Sequence, residues 1–120
     1  MSVLRVLIAS PDGELRARVA GVVAATENEV AVELDTPFDA LEACLEDRVD
    51  VAVLDEALRS MRGSEVASVL RDLHSRVVTV VLHRGELNGD DGLLALNPGR
   101  EGFDEALANV MRDTGGRRRP

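Results

Sequence analysis

Five short apolar runs recur along the chain, near residues 3–9, 30–34, 51–54, 77–82 and 93–96, the first four of them rich in β-branched residues. Each reads as a strand, most of them bounded by Gly, Asp or Ser on at least one side. Between them the apolar residues change to helical spacing. Leu15, Val19, Val22 and Val23 follow Ser10-Pro11-Asp12-Gly13, which breaks the first strand and starts a helix with Pro in its first turn. Thr36-Pro37 predicts an N-cap and a proline at the first helical position, with Asp39 where the helix dipole favours an acid. Leu41, Cys44 and Leu45 supply that helix's apolar face. Ser64 predicts the cap of a third helix, with Val66, Val69, Leu70 and Leu73 facing inward. Phe103, Ala106, Leu107, Val110 and Met111 form the stripe of a last helix, expected to stop before Gly115-Gly116.

Strands that are apolar on both faces and alternate with helices imply an α/β fold, with a parallel sheet covered on both sides. In such sheets polar chemistry gathers beyond the carboxyl ends of the strands. Three positions meet that condition: Ser10-Pro11-Asp12, Asp55 and His83.

Composition removes several classes of function. The 120 residues suffice for one domain, read as 1–113, with 114–120 an Arg-rich tail or linker. All 14 basic residues are arginine, and only Phe38 and Phe103 are aromatic. Net charge is −8, and −11 once Arg117, Arg118 and Arg119 are set aside. Such a body repels a phosphate backbone and offers no stacking platform, so nucleic acid is not the expected partner. The single Cys44 excludes an internal disulfide and a zinc cluster, and its place on an apolar helix face reads as core. No apolar run reaches the roughly 20 residues of a membrane span, and the first residues lack a signal peptide's basic start. A cytoplasmic location is expected.

The strand-end residues carry a resemblance. RVLIASPDGELR resembles the opening of the receiver domain of two-component response regulators, the CheY-like fold. DVAVLDEALRSMRGSEV resembles that family's phosphoacceptor strand and following loop, with Asp55 at the phosphoacceptor position and Gly63 as the loop glycine. Asn97-Pro98 falls where the family has Lys-Pro, often with a cis peptide. The match covers nearly the whole chain. It implies a doubly wound, flavodoxin-like five-stranded parallel sheet in the order 2-1-3-4-5.

The family's chemistry needs an attacking carboxylate, an acidic pair for Mg²⁺, a hydroxyl and a lysine for the phosphoryl oxygens, and an aromatic switch. Asp55 remains. The acidic pair falls on Ser10 and Pro11, with Asp12 the next acid, read from the residues alone as a helix cap. The hydroxyl position falls on His83, the lysine on Asn97 and the switch on Leu94. Mg²⁺ usually keeps one or two carboxylate ligands, and the charge of an acyl phosphate needs a fixed cation. The histidine at the hydroxyl position is not a fixed cation, and the sequence has no lysine to supply one. The resemblance therefore implies a degenerate receiver: not an enzyme, without a cofactor, signalling through protein contacts. Two alternatives stand beside it. One is a functional phosphorelay receiver with Asp55 phosphorylated and Mg²⁺ bound. The other is a ligand-sensing receiver that binds a small molecule in the degenerate pocket formed by Ser10, Pro11, Asp12, His83, Asn97 and Pro98.

The connection from Leu82 to the fifth strand is short and rich in glycine. A parallel crossover usually takes a dozen or more residues. The family's fourth helix is expected to be shortened or missing, with residues 84–92 a loop or single turn. The apolar surface so bared, around Val81, Leu93 and Leu94, is expected to meet a protein partner or a second copy.

Overall fold

The computed structural model describes residues 3–85 and 93–117. The elements are β1 (Arg5–Ala9), α1 (Gly13–Ala25), β2 (Glu29–Leu34), α2 (Pro37–Glu46), β3 (Val51–Asp55), α3 (Gly63–Asp72), β4 (Val78–Leu82), β5 (Leu94–Leu96) and α4 (Phe103–Arg117). All strands are parallel, in the order β2-β1-β3-β4-β5. This is the expected order, and it puts the reversal between β1 and β3, next to Asp55. The register shifts once, between Val6 and Leu7 opposite β2.

Period-two alternation divides the strand side chains between two cores. Val6, Ile8, Val51, Val53, Val80 and Leu82 pack with Leu15, Val19 and Val23 of α1 and with Phe103, Leu107 and Met111 of α4. Leu7, Ala52, Leu54 and Val81 pack with Ala40 and Cys44 of α2 and with Val66, Ala67 and Leu70 of α3. Every residue of β3 is buried, as expected of a strand covered on both faces.

Several helix limits differ from expectation. Pro11 precedes the α1 cap instead of lying in the first turn; Asp12 is the N-cap and accepts from Glu14 N and Leu15 N. Thr36 and Pro37 start α2 as the sequence predicts. Leu45 does not join its inner face; it is 54% exposed, and Ala40 and Cys44 fill the core instead. In α3, Ser64 lies inside the first turn, Arg62 is the N-cap, and Leu73 is an exposed C-cap residue with Ala67 buried in its stead. The helix α4 runs through Gly115-Gly116 to Arg117. Thr114 is buried there, and Gly115 faces Leu4 at the base of β1. Tertiary packing thus outweighs the helix-weakening tendency of glycine. The segment from Thr114 to Arg117 is helix, not the start of a tail.

The expected loop at residues 84–92 lies mostly outside the described residues; of it, Arg84 and Gly85 are described, as a bend after β4. Four helices are present among the described residues, and α4 follows the fifth strand. The expected bare surface is smaller than predicted. Val81 is fully buried and Leu93 packs on the α2–α3 core, while Leu94 stays 41% exposed on edge strand β5.

Candidate functional site

Register alone brings the candidate residues to one end of the sheet. Asp55 pairs with Leu82, and Leu82 with Leu96, so His83 and Asn97 each stand one residue beyond the ladder. The ladder continues one step, with Glu56 N donating to Leu82 O at 2.9 Å and His83 N to Leu96 O at 3.0 Å. Ser10 follows β1 in the same way, its N–H donating to Leu34 O at 2.9 Å.

Asp55 is 5% exposed and Ser10 is wholly buried. The Ser10 hydroxyl donates to Asp55 Oδ2 at 2.6 Å, and Ala57 N donates to Asp55 Oδ1 at 2.9 Å. Each carboxylate oxygen therefore already holds a donor, as a buried acid requires. Ser10 Oγ also accepts from Asp12 N at 3.0 Å, which binds the start of α1 to the same network.

Asp12 is turned to the helix. Its Oδ1 accepts from Glu14 N at 3.0 Å and Leu15 N at 3.2 Å, and its Oδ2 lies 3.6 Å from Arg84 Nη2. Pro11 is exposed between Ser10 and Asp12.

Asp55 and His83 line one cleft of about 240 Å³ with Glu56, Ala57, Arg84, Gly85 and Pro98. His83 Nδ1 accepts from Gly85 N at 3.2 Å. Asn97 does not line this cleft. It lies in a neighbouring one of about 340 Å³ with His83, Arg100 and Phe103, and its Oδ1 turns back to Gly99 N at 2.8 Å. The predicted pocket is thus divided. Ser10, Asp12 and Asp55 share one network, His83 borders it, and Asn97 stands apart. The Asn97–Pro98 peptide is trans. Leu94, at the switch position, is exposed.

Sequence reasoning missed three contributors. Glu56 caps α3, accepting from Ser64 N at 2.7 Å and Ser64 Oγ at 2.9 Å, and so holds the loop after Asp55 closed. Arg16 donates to Ser10 O at 2.6 Å and faces Glu33 at 3.7 Å. Arg84 brings a cation to the cleft. Glu56 and Arg84 are each adjacent in sequence to a residue already singled out, so extending each strand end by one position would have found both. Gly63 sits where a Cβ would lie 2.7 Å from Asp55 O and 2.8 Å from Leu54 O, so α3 starts against the backbone of the site strand.

Many solved structures share this architecture. A receiver domain of a Francisella response regulator superposes with a TM-score of 0.81 at 16% identity, covering 97% of this chain and 99% of that one. A DNA-binding response regulator of the LuxR family from Staphylococcus aureus gives 0.81 at 18% identity, covering 93% and 99%. The receiver domain of a Pseudomonas aeruginosa sensor histidine kinase, which holds a magnesium ion in its active-site cleft, gives 0.77 at 16% identity over 96% and 99%. No family model and no curated protein matches the sequence. The chain has the fold of a response-regulator receiver domain, with Asp55 at the carboxyl end of its third strand.

Proposed function

We propose that this chain is a degenerate receiver, a signalling module that works through protein contacts without an aspartyl-phosphate switch. One observation carries the reading. The Ser10 hydroxyl, where receivers have an acidic residue, donates to Asp55 Oδ2 at 2.6 Å. A neutral donor takes the place of metal and phosphoryl chemistry at that oxygen. The donor set does not suit Mg²⁺, which needs oxygen ligands in octahedral array, including one or two carboxylates. Asp55 has its oxygens engaged, Asp12 caps a helix, and no three His, Cys, Asp or Glu cluster as metal ligands among the described residues. A phosphoryl group on Asp55 would bring about two negative charges, and Arg84, 61% exposed and beside Asp12, is the only arginine among the described residues that line that cleft.

The partner surface assigned by this reading is edge strand β5 around Leu94, for a second copy or another protein. No helix among the described residues is long and apolar enough to cross a membrane. We place the module in the cytoplasm from its acidic, single-cysteine composition.

The test is exposure of the full chain to acetyl phosphate or beryllofluoride with millimolar Mg²⁺. The expected result is an unchanged mass and unchanged amide spectrum. A stoichiometric adduct of about 80 Da that disappears in Asp55→Asn would establish the phosphorelay alternative instead. The cleft of about 240 Å³ with one arginine and one histidine favours a second reading, a small anionic ligand in the degenerate pocket. Saturable shifts of Ala57 and His83 on adding a carboxylic or phosphate compound without Mg²⁺ would support it.

A further inference from the structure

The outer face of α2 carries two parallel stripes at the same spacing. Phe38, Leu41 and Leu45 form an apolar one, with Phe38 58% exposed, Leu45 54% exposed and Leu41 half-buried between them against the α2–α3 core. Beside it Asp39, Glu42 and Glu46 form an acidic one, every member exposed. Both recur at i, i+3 and i+7, which aligns each along two turns, about 10 Å of axis. Phe38 is one of only two aromatic residues in the chain, and the other, Phe103, is buried.

The acids stand without ion-pair partners. None of Asp39, Glu42, Glu46 or the C-cap Asp47 takes part in an ion pair among the described residues, whereas six acids elsewhere do. Glu46 and Asp47 also stand at the C-terminal end of α2, where no basic residue occupies the last turn. Negative charge there opposes the helix dipole, and a cation brought from outside would relieve it. The chain's own packing explains neither the exposed aromatic nor the misplaced acids.

We propose that this face of α2 docks a basic amphipathic helix of a partner protein. Its leucine-like residues, seven apart, would cover Phe38 and Leu45, and its Arg or Lys residues would lie along Asp39, Glu42 and Glu46. A second copy of this chain is a poor occupant. Antiparallel pairing through the same face would set acid stripe against acid stripe. The surface lies over β1 and β2, across the sheet from β5, and its use does not depend on the state of Asp55.

The test is an amide-shift titration of the labelled full chain, without phosphodonor, using a designed helical peptide. The peptide carries leucines seven apart flanked by arginines, and a control peptide has every arginine replaced by glutamate. The expected result is saturable shifts confined to residues 36–48, seen only with the basic peptide and weakened by salt. Phe38→Ser/Leu45→Ser, both at exposed positions, should lose about tenfold in affinity with an unchanged circular dichroism spectrum. Glu42→Arg/Glu46→Arg should transfer the preference to the acidic peptide. Leu94→Asp should change nothing in this titration, which separates it from the β5 surface. Absence of binding at millimolar peptide, equal shifts with both peptides, or shifts mapping elsewhere would overturn the proposal. So would a dimer in sedimentation that Phe38→Ser/Leu45→Ser dissolves, since the face would then belong to a second copy.

Discussion

Gly63 sets how closely the α3 start approaches the strand that carries Asp55. A Cβ there would stand 2.7 Å from Asp55 O, and that oxygen is backbone with nowhere to go. Gly63→Ala is expected to destabilise the fold by about 1–3 kcal/mol in urea unfolding, as overpacking of a tight contact does. The glycine was legible from the sequence as a loop residue, but its reason was not, because the close approach arises only when the strand and helix are assembled. Cys44 shows the opposite case, a residue whose environment its helical spacing foretold. Burial pushes its thiol up from 9.0 to about 11. Between those values the unfolded chain has lost the proton and the folded chain keeps it, so stability should fall as pH rises from 9 toward 11. Below pH 9 the group contributes no pH dependence. Ellman's reagent at pH 8 should label Cys44 slowly in native protein and at once in denaturant; equally fast labelling in both would contradict its burial.

At the level of elements, the strands were the most legible part. Five apolar runs predicted five strands to within two residues, most plainly at β3, where burial on both faces leaves little choice of residue. Helix faces were harder to read. Leu45 and Leu73 have the spacing of inward residues and are exposed, since Ala40, Cys44 and Ala67 let α2 and α3 lie close to the sheet without them. Asp55 was legible as a strand-end carboxylate. Its bond to Ser10, 45 residues away, required the β1–β3 pairing, and the separation of Asn97 from the cleft followed from a local turn onto Gly99. Edge strand β5 carries a prediction of its own. Leu94→Asp replaces a half-exposed apolar side chain at a parallel edge, where burying a leucine contributes about 1.5–3 kcal/mol. Sedimentation at tens of micromolar should show weaker self-association than wild type, with an unchanged unfolding midpoint. A wild-type chain that is monomeric throughout that range would remove the homodimer from consideration at this surface.

Over the whole molecule, the two cores are closed by different means. The α2–α3 side mixes the small Ala40, Cys44 and Ala67 with Val66 and Leu70, and the α1–α4 side uses Phe103, Leu107 and Met111 together with the salt-bridged pair Arg18–Asp104 at 2.9 Å. Arg18 also stacks over the Phe103 ring at 4.7 Å, which holds the start of α4 against α1. At the far end of α4 the backbone of Gly115 comes up to Leu4, so that a Cβ placed there would stand 4.0 Å from Leu4 Cδ1. That approach has a topological consequence. The first strand and the last helix meet at the end of the sheet away from Asp55, so a short Gly-Ser linker could join Arg117 to Val3. The chain could then be opened between Arg59 and Ser60, both exposed. Such a circular permutant should unfold cooperatively with the native helix content, because every strand pairing survives the rearrangement. A permutant that aggregates or loses its helical signal would mean that the loop after Asp55 must be continuous for the sheet to assemble.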